Sequence, residues 1–339
     1  MFQLHNDDKM KTVKVNFVDF HSDFDKNNDF LDILKTRYNV EISDEPDYLF
    51  YSVFGTKHLK YRECIRIFYT GECLTPDFNE CDYAIGFDRL VFGDRYLRYP
   101  LYALFQYKNA YNAILDRTPI TQEELAAKTE FCSFVVSNGF AQEARAKFFE
   151  LLSEYKKVNS GGRFRNNIGG AIIDKQSFQV KHKFSLAFEN NSYQGYITEK
   201  IGEAFASRTI PIYWGDPTIC KDFNDEAFVN VHNYASFADV IERIKELDND
   251  DEKYLSVVNA PIIKNQISRQ ALEQFLFNIF DQEKVSAQRR PLSKNQIEFE
   301  KMQLRHRFFE DKIYTPYRRF KSLVSQLRNG TIISKKRTE

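Results

Sequence analysis

A chain of 339 residues is long for a single hydrophobic core and suits two domains. Apolar residues make up 42 % and charged residues 28 %, which excludes a disordered chain, and a formal net charge of zero gives no sign of nucleic-acid binding. Phe and Tyr are abundant, at 32 and 19, which suits either a bulky core or sugar-facing surfaces.

In chain order, the strand patterns are Val13–Phe20, Tyr48–Phe54, Ile65–Thr70 and Tyr83–Phe87, with helical spacing over Phe30–Tyr38 between the first two. After a polar stretch, Asp116–Thr129, come Phe131–Ser137, Phe184–Glu189, Ile210–Trp214 and Ala227–Val231 as strands. Helical segments at Gln142–Tyr155, Glu199–Ser207 and Phe237–Leu247 separate most of these. Alternating strands and helices imply parallel sheets covered on both faces. The pattern predicts an α/β protein of two Rossmann-like domains facing each other across a cleft. The expected domains are 1–127, 128–285, and a helical segment with a basic tail at 286–339.

Five scattered cysteines, with no CxxC pair and no zinc-ligand spacing, predict free thiols in a reducing compartment. The N-terminus lacks the basic start and apolar stretch of a signal peptide, and no run of about 18 apolar residues could span a membrane. These features predict a cytoplasmic protein, with room for a peripheral contact on the inner face of the cell membrane. No GxGxxG follows the first strand and no GxxxxGKS/T is present, which argues against an ordinary dinucleotide domain and a P-loop NTPase.

The richest stretch is Phe188-Glu-Asn-Asn-Ser-Tyr-Gln-Gly-Tyr-Ile-Thr-Glu-Lys-Ile201, followed by Thr209-Ile-Pro-Ile-Tyr-Trp-Gly-Asp-Pro217. A strand ends in a polar loop holding Gly195, and a helix starts with Thr198 as a plausible N-cap and Glu199 and Lys200 in its first turn. A helix N-terminus favours a diphosphate, Lys200 adds a full positive charge, and Glu199 can accept hydrogen bonds from sugar hydroxyls. On spacing alone, the same residues also describe a capped surface helix with an ordinary Glu–Lys pair.

This stretch resembles the signature of the α-1,3/α-1,4-fucosyltransferases, glycosyltransferase family 10. The similarity extends in order to Phe68-Tyr-Thr-Gly-Glu72, Asp82-Tyr-Ala-Ile-Gly-Phe-Asp88, Asp94-Arg-Tyr-Leu-Arg98, Phe134-Val-Val-Ser-Asn138 and Lys221-Asp-Phe-Asn224. It is like that of the Helicobacter- and Bacteroides-type bacterial members from about Phe50 to Val231. The resemblance implies a glycosyltransferase B fold with the acceptor on the N-terminal domain and GDP-fucose on the C-terminal one. It implies Asn190, Tyr196, Glu199 and Lys200 around GDP-fucose, Arg145 facing the diphosphate across a variable loop, and Glu72 as general base. The implied reaction is an inverting transfer to the 3-OH of GlcNAc in N-acetyllactosamine-type glycans, giving a Lewis x-type product. The alternatives are a related transferase with another sugar or acceptor position, or a non-catalytic glycan- or nucleotide-sugar-binding protein.

No cofactor is expected, and a divalent metal is expected to be stimulatory at most. Asp23-Phe-Asp25 imitates a DxD metal motif but follows a strand in the acceptor half, where Asp is common in turns. The Ser160–Arg165 loop reads equally as a phosphate-facing nest or as a mobile loop. The tail from Lys312 carries eight Lys/Arg and one acid. Thr315 reads as an N-cap and Pro316 as a first helical residue, and an apolar stripe of Tyr317, Phe320, Leu323, Val324 and Leu327 is ringed by basic residues. Residues 315–337 could thus rest on an anionic membrane surface or pack on the N-terminal domain.

Overall fold

Short runs of consecutive apolar residues form strands buried on both faces, the arrangement that parallel sheets require. The computed structural model describes residues 10–137, 143–317 and 321. Its first sheet contains β1 (Thr12–Val18), β2 (Asn39–Ile42), β3 (Tyr48–Tyr51), β4 (Ile65–Tyr69), β5 (Tyr83–Gly86) and β6 (Tyr96–Arg98), in the order β2-β1-β3-β4-β5-β6. The second contains β7 (Glu130–Phe134), β8 (Val158–Ser160), β9 (His182–Phe188), β10 (Ile210–Trp214) and β11 (Val229–Asn230), in the order β11-β10-β9-β7-β8. Every strand pairing is parallel. The register aligns Phe188 of β9 with Trp214 of β10, so the loops that follow both strands leave the same sheet edge. Two parallel sheets in one chain are the glycosyltransferase B arrangement expected from the sequence.

One boundary differs from expectation. The helix Arg269–Phe280 falls within the span expected for the second domain, but it packs on the first sheet. Phe280 stacks on Tyr48 at 3.9 Å, Phe277 packs against Tyr38, and the Tyr38 hydroxyl donates to Asp281 at 2.5 Å. The chain therefore crosses back, and Leu272, Leu276, Ile279 and Phe280 belong to the N-terminal core. Apolar spacing could announce this helix but not which sheet receives it. Beyond it, Arg290 forms a fully buried ion pair with Asp82, and Arg66 of β4 donates to Glu300 at 2.9 Å from the helix Lys294–Phe309.

A second correction concerns the tail. Thr315 has helical angles (φ −64°, ψ −46°) and does not begin a helix; the preceding helix runs into it through a widened turn, Glu310–Tyr314. Proline inside a helix removes one N–H and crowds the carbonyl four residues back, which accounts for widening just ahead of Pro316. Tyr317 and Lys321 are exposed, and the rest of the basic stripe lies outside the described residues. None of the described helices is long and apolar enough to cross a membrane.

Beside β1, the His58 imidazole is buried, stacked on Tyr51 at 4.0 Å and held between two carboxylates, Asp19 at 2.7 Å and Glu80 at 3.4 Å. Burial opposes its charge, but the hydrogen bonds the imidazolium donates to Asp19 and Glu80, with their negative charges, win and raise its pKa above 6.5. A raised histidine pKa stabilises fully below the unfolded value, and that contribution is lost as pH rises through the folded value. In urea unfolding, the stability advantage of wild type over His58→Gln should therefore be largest near about pH 6 and shrink toward about pH 9. A constant difference across that range would show that folding leaves the His58 pKa unchanged, and one that grows with pH would show that the folded protein holds His58 neutral.

Candidate active site

Both sheets turn their carboxyl edges toward one cleft, where open α/β folds bind ligands. On the N-terminal side, β4 ends at Tyr69 and a Thr70-Gly71 turn presents Glu72, whose N–H donates to the Thr70 hydroxyl at 3.0 Å. Glu72 is exposed and lines a cavity of about 700 Å³ together with Phe20, Phe24, Phe54, Tyr69, Leu101 and Phe105. Phe20 and Phe24 stack at 3.9 Å, and Phe54 is 48 % exposed, so the wall offers flat aromatic faces. Asp23, Asp25, Asn27 and Asn28 supply polar groups to the same cavity. Asp23 and Asp25 are exposed, and among the described residues no cluster of three or more His, Cys, Asp or Glu side chains could hold a metal ion.

On the C-terminal side, β9 runs directly into Glu189 and Asn190. The Arg145 guanidinium, 2 % exposed, donates to Asn190 Oδ1 at 2.9 Å and lies 6.0 Å from the Phe164 ring. The Ser160–Arg165 loop therefore has a packing role under Arg145, and its own backbone is fixed by Asn166 and Asn167. Burial draws Arg145 below its ordinary pKa, opposed by Glu189 and Tyr196. Gly195 adopts φ +82°, and a Cβ there would stand 2.6 Å from the Phe87 carbonyl, so this loop rests against the N-terminal domain. Next in the chain, Tyr196 is buried edge-on to Phe87 at 5.1 Å.

The helix Glu199–Ala206 starts at this point, with Glu199 and Lys200 in its first turn and the Lys200 ammonium 3.4 Å from the Glu199 carboxylate. Thr198 occupies the N-cap position, but its side chain makes no capping bond, unlike the expectation. Its N–H and hydroxyl instead donate to Glu189, at 2.7 and 2.6 Å, while its oxygen accepts from Lys200 at 2.9 Å. Burial opposes both charges of the Glu199–Lys200 pair, but the neighbours prevail. Lys200 with Lys175 holds the Glu199 carboxyl below its usual range, and Glu189 with Glu199 raises Lys200.

The two sides are within electrostatic reach. Burial pushes the Tyr196 phenol up, with Glu189 from its own domain and Glu72 from the other both contributing. Likewise the Cys73 thiol is pushed up to about 11 by burial, with Asp88, Glu189 and Glu72 behind it. Arg145, Asn190, Tyr196, Glu199 and Lys200 thus form one cluster, and Glu72 faces it from the other sheet. Two sets of residues went unread in the sequence. Glu189 sits in the motif but shows its partners only in three dimensions, and an ion-pair hub joins the domains. Arg89 donates to Asp216 at 3.0 Å and Asp222 at 2.7 Å, and Arg98 grips Asp222 at 3.0 and 2.8 Å.

Residues 15–105 match the alpha-(1,3)-fucosyltransferase FucT N-terminal domain, and residues 125–259 match the C-terminal part of glycosyltransferase family 10 (fucosyltransferase). The chain belongs to glycosyltransferase family 10. It is 38 % identical over 267 residues to the alpha-(1,3)-fucosyltransferase FucT of Helicobacter pylori, covering 69 % of this chain and 56 % of that protein. With the human 4-galactosyl-N-acetylglucosaminide 3-alpha-L-fucosyltransferase FUT6 it shares 32 % over 136 residues, 39 % of this chain and 37 % of the human one. The chain thus spans about half the length, or less, of these relatives. A crystal structure of an alpha1,3-fucosyltransferase with GDP-fucose superposes with a TM-score of 0.69 at 30 % identity, covering 84 % of this chain and 94 % of that one.

The family-10 cleft leaves no space beside Glu189. A Cβ on Gly215 would lie 2.5 Å from Glu189 Cγ and 2.7 Å from the Tyr213 hydroxyl. Overpacking of this kind costs about 1–3 kcal/mol. Gly215→Ala should lower the melting temperature by several degrees in thermal unfolding; an unchanged melting temperature would mean that Glu189 moves aside without cost.

Proposed function

We propose that this chain is an inverting α-1,3-fucosyltransferase that moves L-fucose from GDP-fucose to the 3-OH of GlcNAc in N-acetyllactosamine-type glycans. The observation that carries this reading is that Glu72, an exposed carboxylate at the end of β4, lies within electrostatic reach of Tyr196 in the Arg145–Lys200 cluster of the other domain. Membership of family 10 and the likeness to a fucosyltransferase bound to GDP-fucose support the choice of donor. The diphosphate would meet the N-terminus of the helix Glu199–Ala206, where the dipole, Lys200 and Arg145 favour anions. The acceptor would occupy the cavity beside Glu72, its sugar faces against Phe20, Phe24 and Phe54 and its hydroxyls toward Asp and Asn side chains.

In one displacement, the acceptor oxygen bonds to the anomeric carbon as the carbon–oxygen bond to the diphosphate breaks and its electron pair leaves with GDP. Glu72 takes the acceptor proton, and Lys200 and Arg145 meet the charge that grows on the leaving group. Those two cations do what a metal would do, so no cofactor is required and a divalent ion is stimulatory at most. The product would be of Lewis x type. Exposed Phe308, Phe309, Ile313, Tyr314 and Tyr317, followed by the basic residues of the tail, support a contact with an anionic membrane surface.

Two measurements test the donor chemistry. GDP should raise the melting temperature clearly and UDP little, because only a ligand of the folded state stabilises it. Turnover should survive EDTA; complete, metal-reversible loss would remove the metal-free mechanism, and equal shifts with the two nucleotides would remove the guanosine assignment.

The division of labour is tested by two substitutions. Glu72→Gln cannot accept a proton, so turnover should fall by roughly a hundredfold or more while GDP affinity stays the same. Lys200→Ala should damage both turnover and GDP affinity, since the lysine meets the diphosphate before and during departure. Initial rates and calorimetric titration with GDP separate the patterns. Near-normal turnover in folded Glu72→Gln would move the general base elsewhere, with Glu199 the next candidate.

A further inference from the structure

Glu189 is fully buried, and both of its carboxylate oxygens are engaged within the donor cluster. One accepts the Thr198 N–H at 2.7 Å; the other accepts the Thr198 hydroxyl at 2.6 Å and the Lys200 ammonium at 3.0 Å. Lys200 also donates to the Thr198 hydroxyl oxygen at 2.9 Å, which closes a ring of three side chains. A lysine ammonium is a rotatable point charge on a four-carbon stem, with no fixed direction of its own. Here two of its three N–H bonds are held by groups of one strand end and one helix start, with the Glu199 carboxylate 3.4 Å away. The Thr198 hydroxyl donates to Glu189 and its oxygen accepts from Lys200 rather than from a backbone N–H of its own helix, so the first turn is not closed by that side chain. Gly215 lets the carboxylate lie where it does.

We infer that Glu189 is a positioning residue for the transfer reaction: it aims Lys200 at the departing diphosphate through a Glu189–Thr198–Lys200 ring, without touching either substrate. The inference rests on the reading of Lys200 as the diphosphate's partner. A carboxylate in this place works against ground-state binding of an anion and yet fixes the cation that the transition state uses. Its effect therefore falls on turnover more than on affinity. Preorganised donors contribute because no reorganisation is needed as charge develops.

The test is a double-mutant cycle on the full chain, with kcat and GDP affinity as readouts. Glu189→Gln keeps the shape but sets an amide N–H against the Thr198 hydroxyl and the Lys200 ammonium. It should lower kcat by about ten- to thirtyfold and change GDP affinity by less than about threefold, a split that a merely structural role would not produce. In the Lys200→Ala background, the same change should lower kcat by less than about twofold. Thr198→Val removes the bridging hydroxyl and should reproduce the kcat-selective loss, with Thr198→Ser restoring turnover; this arm decides the matter if Glu189→Gln does not fold. Equal kcat losses from Glu189→Gln with and without Lys200, or full turnover in Thr198→Val, would overturn the inference. If Lys200→Ala alone leaves both kcat and GDP affinity intact, the reading of Lys200 fails, and the positioning role goes with it.

Discussion

The cleft depends on four charged side chains that tie the two sheets together. Arg89 follows β5 and Arg98 ends β6; Asp216 and Asp222 follow β10 in the other domain. The two aspartates are buried while the arginines keep partial contact with water, so each carboxylate is satisfied by guanidinium N–H groups rather than left bare. Removing one partner from such a group typically costs about 3–5 kcal/mol, because the remaining charge stays buried and unpaired. Arg89 also donates to the hydroxyl and carbonyl of Thr218, and its stem lies 3.5 Å from where a Cβ on Gly195 would be. The same contacts that join the domains therefore bring the loop before Tyr196 against Phe87 of the N-terminal half. With that spacing fixed, Glu72 stays within electrostatic reach of Tyr196 in the other domain; a different domain angle would separate them.

A second tie runs through the chain itself. After the second sheet is complete, the helix Arg269–Phe280 returns to the first and buries Leu276, Ile279 and Phe280 against it. Arg290 and Glu300 then insert into the back of the same domain, opposite Asp82 and Arg66. A charge buried without its partner is expensive, so both pairs hold the C-terminal segment to the N-terminal sheet. The N-terminal domain is thus built from an early and a late part of the described chain, and the C-terminal domain is an uninterrupted block between them.

Strands whose residues are apolar on both faces were legible in the sequence, and Ile210–Trp214 coincides with its expected bounds. Asn39–Ile42, Tyr96–Arg98 and Val158–Ser160 were not, because each is an edge strand of only three or four residues, too short to show an apolar pattern. The site residues came from the motif, and their assembly into one cluster followed once β9 and β10 lay in register. Long-range partners were beyond reach: nothing near Asp222 announces Arg98, and nothing near Tyr48 announces Phe280. Thr198 shows the limit most clearly. Local rules make its oxygen a cap for a backbone N–H, but its hydroxyl turns to a buried glutamate nine residues earlier and its oxygen accepts the charged Lys200 ammonium instead.

The charges at the donor cluster explain why that substitution of roles matters. Glu189, Glu199, Lys200 and Arg145 bring two negative and two positive charges into one small volume, and the sum is zero. An anion entering such a site gains less from simple attraction than it would at a bare pair of cations. On the proposed function, its favourable contacts would come from direction: the uncapped first turn of the helix, the Arg145 guanidinium held by Asn190, and an ammonium with a fixed bearing. Charge that grows on one oxygen during bond cleavage is felt most by the donors already aimed at it, whereas the resting ligand, with its charge spread over several oxygens, is felt less. On the proposed function, a balanced cluster of fixed geometry would favour the transition state over the bound donor and let the nucleotide leave once the sugar has gone.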